Sequence, residues 1–263
     1  MEIPLPAPFA EGRTANVYDW QDGCILKLYH DWCPPDWAET ELRTARAITE
    51  AGIPAPGVFE LIELNNRRGI VYERIKGISM LRDMNTHPWT LLRHARTLAE
   101  LHVRIHGLSV AGIQSYRDGL GYTIKRAPYL EDNLRQKALE RLASLPDGDR
   151  VCHGDFHPGN VLITDQGPIV IDWVTACSGN PWADVARTSM ILIIGAKAAG
   201  RQVHPLVRSL IALFHRSYLK RYRELKPDQG RELRQWVPVI AAARLDEQIT
   251  PERAGLLEMI KTG

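Results

Sequence analysis

Residues 151–174 read VCHGDFHPGNVLITDQGPIVIDWV, and they constrain the fold more tightly than any other stretch of the chain. Two short apolar runs, Val161–Ile163 and Ile169–Ile171, flank Thr164-Asp165-Gln166-Gly167-Pro168, which predicts a pair of strands joined by a turn. Asp155 and Asn160 precede the first run and Asp172 follows the second. A tight hairpin would carry all three side chains to one end. Three oxygen-bearing groups meeting there suit a hard cation such as Mg²⁺ and a nucleotide phosphate tail. An acidic surface loop is the bland alternative, and it does not explain why residue types, spacing and flanking strands agree.

HGDFHPGN followed by IVIDW resembles the catalytic segment of the aminoglycoside phosphotransferase and choline kinase superfamily, small-molecule kinases built on the protein-kinase fold. The resemblance implies an α+β, two-lobed fold. Residues 1–76 would form a small antiparallel-sheet lobe that binds nucleotide, and residues 77–263 a mostly helical catalytic and acceptor-binding lobe. It implies that Asp155 orients and deprotonates the accepting hydroxyl. Asn160 and Asp172 would hold Mg²⁺ against the phosphates of ATP or GTP.

The N-terminal part fits that expectation. Val17–Trp20 and Cys24–Tyr29 read as a hairpin around Gln21-Asp22-Gly23. The preceding turn, residues 11–16, is built of small residues that let backbone approach a phosphate, and the resemblance places Thr14 and its neighbouring amides there. Lys27 lies in the second strand. Residues 36–51 have helical composition, ended by Gly52-Ile53-Pro54. In the family a helix glutamate holds the strand lysine on the phosphates; Glu39, Glu41 and Glu50 are the candidates here, and the resemblance favours Glu41, about three turns ahead of Ile53-Pro54. Val58–Glu63 and Gly69–Glu73 read as two further strands. The segment YERIKG that follows resembles the family's hinge, which assigns the Tyr72 carbonyl and the Arg74 amide to the adenine edge.

Residues 89–106 show strong helical periodicity, with His102 and His106 four apart. That spacing could bind zinc, but no third ligand is evident in the sequence, so both histidines read as scaffold. Leu130–Leu145 predicts another helix, and Asp184, by resemblance, a brace for the catalytic loop. GAKAAGRQ at 195–202 approaches a phosphate-binding loop but has Arg201 and Gln202 where lysine and serine or threonine are required. Helices are expected over Leu206–Leu225 and from about Glu232 to Ile249. By the resemblance, helices from this region wall the acceptor pocket, and Trp236, Arg244, Asp246 and Glu247 are the candidates for that wall.

Composition excludes little else. A formal net charge of +2 is too mild for a chain whose main partner is nucleic acid. The four cysteines are scattered, as in a reduced, cytoplasmic protein, and the longest apolar run is too short for a membrane span. Arg208, Arg216, Lys220, Arg221, Arg223 and Lys226 make the tail basic, which disfavours a polycationic acceptor and favours a sugar, amino alcohol or other metabolite. Two rivals remain: a non-catalytic nucleotide-binding regulator on the same scaffold, and a protein kinase. Joint retention of Lys27, Glu41, Asp155, Asn160 and Asp172 argues against the first. Asp172-Trp173-Val174 in place of Asp-Phe-Gly, with no following Ala-Pro-Glu, argues against the second.

Overall fold

The computed structural model describes residues 5–198, 204–226 and 231–262. In chain order the elements are β1 (Ala10–Glu11), β2 (Ala15–Asp19), β3 (Cys24–Tyr29), α1 (Asp36–Glu50), β4 (Val58–Leu64), β5 (Arg67–Glu73), β6 (Ile78–Ser79), α2 (Met80–Thr86), α3 (Leu91–Ile105), α4 (Tyr116–Arg126) and α5 (Asp132–Ser144). They continue with β7 (Arg150–Cys152), β8 (Val161–Thr164), β9 (Gly167–Val170), β10 (Cys177–Gly179), α6 (Pro181–Ala198), α7 (Pro205–Leu225), α8 (Arg231–Arg244) and α9 (Arg253–Thr262). This is the expected α+β composition, with an antiparallel-sheet N-terminal part and a helical C-terminal part. Two compact units emerge: Met1–Arg82 with Gly159–Thr175, and Asp83–Pro158 with Ala176–Gly263. The first takes in a later segment that a single boundary near Lys76 leaves out, because the β8–β9 hairpin pairs with β6.

The first unit is organised by an antiparallel sheet in the order β1-β2-β3-β5-β4. Alternation along β3 decides what each residue faces. Leu26 and Leu28 are fully buried with Tyr18, Leu64 and Val71 on one side. Tyr29 packs on the other with Ala38 and Ala45 of α1 and with Ile70 and Tyr72 of β5. Lys27 shares the α1 side with Tyr29. Burial of this kind stabilises by about 1.5–3 kcal/mol per large aliphatic side chain. Asn65 and Asn66 both take positive φ (51° and 60°) in a two-residue turn between β4 and β5, so the second strand starts earlier than the run at Gly69 suggests.

The second unit is helical, with α3 against α7 and α8 against α4, α5, α6 and α9, plus the short β7–β10 pair. Helix α4 lies in a region whose sequence shows little regularity. The expected helix to Ile249 stops at Arg244 and tightens into a 3₁₀ turn, Leu245–Glu247, closed by Gln248 at φ 56°. The near-match to a phosphate loop at 195–202 lies partly outside the described residues. Among the described residues no helix is long and apolar enough to cross a membrane.

Candidate active site

Strand alternation delivers Lys27 to α1, and the first unit builds an ionic cluster on it. Lys27 Nζ donates to Glu41 Oε1 at 2.8 Å and to Asp172 Oδ1 at 2.8 Å. Glu41 is 2% exposed, and its carboxylate also accepts hydrogen bonds from the Tyr29 hydroxyl and, at 3.0 Å, from the Tyr72 hydroxyl. Burial alone would push the Lys27 ammonium to lose its proton, but Glu41 and Asp172 outweigh it and hold the pKa above the ordinary lysine value. Burial, together with Glu41, raises both tyrosines, so their hydroxyls stay protonated and donate. The gradient of exposure runs from Glu41 through Lys27, 13% exposed, to Asp172, 41% exposed. One end of the cluster is anchored and the other is open.

Asp172 adopts φ 66°, a left-handed conformation rare for a residue with a side chain. The next residue, Trp173, is buried, and its indole donates to the Val170 carbonyl at 3.1 Å, which fixes the turn. Ile171 donates its amide to the Asn160 carbonyl at 3.0 Å, so the residue before Asp172 is bonded to Asn160. Thr14 lies in the β1–β2 turn, where its carbonyl accepts from the His30 amide at 2.9 Å and the Cys33 thiol at 3.3 Å. The Arg74 amide, assigned from sequence to an adenine edge, is instead committed within the first unit, donating to the Gly23 carbonyl at 2.9 Å. Its guanidinium pairs with Asp19 and lies over the Phe9 ring. Tyr72, assigned for its carbonyl, contributes its hydroxyl to Glu41.

In the second unit, the loop carrying Asp155 hangs on a buried carboxylate. Asp184 Oδ2 accepts from the His153 amide at 2.6 Å and Oδ1 from the Gly154 amide at 3.0 Å. Gly154 takes φ 77°, which a glycine adopts without penalty. His102 and His106 bring Nε2 to Asp184 at 3.1 and 3.3 Å, while their Nδ1 atoms face the hydroxyls of Tyr218 and Tyr222 at 2.6 and 2.7 Å. A carboxylate can only accept, so Nε2 carries the proton and Nδ1 accepts from tyrosine. Burial, with His106 beside it, lowers the His102 pKa to about 3 and keeps the ring neutral. Asp184 is the third oxygen or nitrogen partner that the sequence did not reveal for the histidine pair, and every one of these groups is engaged in holding the loop.

Asp155 itself is one-third exposed, with His157 Nε2 3.6 Å from Oδ2 and Arg187 Nη2 3.9 Å from Oδ1. Burial opposes its ionisation, but His157 and Arg187 prevail and hold the carboxyl well below the usual carboxylate range. No sequence motif marks Arg187; its only signal is its place one helical turn after Asp184. Trp236 and Arg244, expected at an acceptor wall, are 2% and 5% exposed and so lie inside the unit. Of the basic tail, Arg221 is paired with Glu100 at 2.7 Å, and Arg216, Lys220 and Arg223 line a cavity of about 710 Å³ between α6 and α7.

Comparison with known proteins gives this geometry a family. The chain resembles the apo form of a thermostable mutant of aminoglycoside phosphotransferase APH(4)-Ia, with a TM-score of 0.69 at 17% identity over 99% of this chain and 93% of that one. A ternary complex of that enzyme with ADP and hygromycin B gives 0.67 at 17% identity, covering 97% and 93%. An aminoglycoside-3'-phosphotransferase of type VIII gives 0.63 at 18% identity, covering 92% and 91%. Identities this low establish a shared fold. No curated protein matches the chain. A model of the phosphotransferase enzyme family, APH, matches residues 7–227. The resemblance carried by HGDFHPGN and IVIDW is therefore borne out: the chain belongs to the phosphotransferase enzyme family and is a phosphotransferase acting on hydroxyl groups.

Proposed function

We propose that the chain transfers the γ-phosphoryl group of a nucleoside triphosphate, ATP or GTP, to a hydroxyl of a small molecule. The observation that carries this reading is the Lys27 ammonium, held 2.8 Å from both Glu41 and Asp172. Such a cation is fixed at its inner side by the buried Glu41 and borders, at its outer side, the exposed carboxylate of Asp172, which is where a phosphate clamp needs its open end. Lys27 meets the α/β-phosphates, Glu41 keeps it aimed, and the turn at Thr14 covers the phosphates with backbone. The adenine edge meets backbone in the stretch from Tyr72 to Arg74, with the Arg74 amide reached only if its bond to Gly23 opens.

Asn160 and Asp172 supply an amide oxygen and a carboxylate, hard donors of the kind Mg²⁺ takes, and these two residues would hold it. When bound, Mg²⁺ neutralises charge on the phosphates. Asp155 accepts a hydrogen bond from the acceptor hydroxyl and takes its proton as the phosphoryl group arrives. Its depressed pKa makes it a weak base that is ionised throughout the neutral range, so its main work is orientation. The unit of 1–82 and 159–175 then carries the nucleotide, and the unit of 83–158 and 176–263 presents the acceptor. Hygromycin B, bound by one structural neighbour, is one acceptor to test beside sugars and amino alcohols.

The test is a Mg-ATP consumption assay across such a panel, run with the parent chain and with Asp155→Ala. Transfer should fall by roughly 10²–10⁴ in Asp155→Ala while nucleotide affinity changes little. Turnover equal to the parent at saturating substrate would remove Asp155 from the chemistry.

A further inference from the structure

Arg187 projects from α6 into the interior of the unit that carries Asp155, and its side chain is 14% exposed. Its Nε donates to the Gly154 carbonyl. Its Nη2 lies 3.9 Å from Asp155 Oδ1 and 2.7 Å from Glu247 Oε1. Glu247 also takes Arg244 at 3.1 Å, and Arg244 is paired with the buried Glu252 at 2.6 Å. A row of alternating charges, Asp155, Arg187, Glu247, Arg244 and Glu252, thus joins the catalytic loop to the C-terminal turns.

Other polar groups stand close to this row. His157 stands on the far oxygen of Asp155, His153 Nδ1 accepts the Asp155 amide at 3.3 Å, and the Tyr116 hydroxyl from α4 is buried without a hydrogen-bond partner. Burying arginine beside carboxylates is a poor way to gain stability, because desolvation cancels much of the attraction. What a planar guanidinium does well is fix several groups in one geometry, which an ammonium cannot. Here it grips the carbonyl immediately before Asp155 and acts on the Asp155 carboxylate through charge.

We propose that Arg187 is a positioning residue for Asp155: anchored on Glu247, it clamps the Gly154 carbonyl and sets the orientation from which the Asp155 carboxylate meets the acceptor hydroxyl. The inference rests on the reading of Asp155 given under the proposed function. Glu247 becomes the distant anchor of the catalytic loop, and not a wall of the acceptor pocket.

The test measures kcat and the KM for Mg-ATP with water as the acceptor, so the natural acceptor need not be known. Arg187→Met should lower kcat about 10- to 100-fold, the cost of a misplaced reacting group, and leave the KM within about twofold. Arg187→Lys should recover part of the loss. In an Asp155→Asn background, Arg187→Met should cost nothing more, since no carboxylate is left to orient. Parent-like kcat in Arg187→Met, or a full multiplicative loss on top of Asp155→Asn, overturns the inference. A fully active Asp155→Asn overturns the kinase reading itself, which keeps the two failures distinct. If Arg187→Met does not fold, Glu247→Gln removes the anchor's charge and keeps its shape. Its kcat should then fall about 3- to 10-fold, again only when Asp155 is present, and an unchanged kcat counts against the proposal.

Discussion

Glu41 shows how much of a site one buried residue can determine. Its carboxylate takes the Lys27 ammonium and two tyrosine hydroxyls, so it is both compensated and fixed. Glu41→Gln keeps the shape and removes the charge that holds Lys27 inward. Lys27 would then lean on Asp172 alone, its remaining partner at 2.8 Å. The expected result is a rise of about tenfold in the KM for Mg-ATP, worth about 1.4 kcal/mol, with a stable fold. Nucleotide titration by calorimetry checks it, and an unchanged affinity would mean that the ion pair does not aim Lys27 at phosphate. Lys27 and Glu41 were legible in the sequence because one sits in a strand and the other at a known interval before Ile53-Pro54. Tyr29 and Tyr72 were not, since a tyrosine hydroxyl's partner depends on where two elements meet. Arg187 was hidden for the same reason: its anchor, Glu247, lies far along the chain.

At the scale of elements, the sheet shows why β3 and β5 must run close together. Gly69 pairs with Leu28 across the ladder, and a Cβ there would fall 2.7 Å from Leu26 Cδ1 and 3.1 Å from the Lys27 carbonyl. The leucine tip can turn aside, but the carbonyl cannot without moving β3. Gly69→Ala should therefore destabilise the chain by about 1–3 kcal/mol, the usual cost of overpacking, and weaken nucleotide binding through Lys27. Thermal melts and nucleotide titration together check this; a lower melting temperature with intact affinity would show that the strain stays away from Lys27. The hairpins were readable because their signals are local: alternation, then Asn-Asn or Asp-Gln-Gly. The β7–β10 pair spans three residues on each side and is defined by a long-range partner, so local pattern could not reveal it. Helix α4 carries Gly119 and Gly121, which blur its periodicity, yet Ser115 caps it and Leu120 and Ile124 bury one face.

For the molecule as a whole, neutral histidines, His102 buried and His215 partly buried, set how stability responds to acid. Burial, aided by His106, lowers His102 to about 3, and burial with Arg223 nearby lowers His215 to about 4. An unfolded chain titrates both near 6.5. As pH falls through that value the unfolded state takes up two protons that the folded state refuses. The stabilisation is thus complete above about 6.5 and is lost progressively toward 4 for His215 and toward 3 for His102. Asp184, held low by its two histidines against the opposing effect of burial, adds its own loss only at the acid end. From pH 7 to pH 5 the two histidines together should remove about 2–4 kcal/mol of stability. Unfolding by urea at fixed ionic strength measures the slope. His215→Gln, which cannot titrate, should flatten it by about one proton's share, near 1.4 kcal/mol per pH unit at most. Both rings belong to the helical unit, so the acid-sensitive part is the one that carries Asp155. Stability that does not change between pH 7 and pH 5 would mean that these rings are protonated in the folded chain, and that the hydrogen-bond sense assigned to the Asp184 brace is wrong.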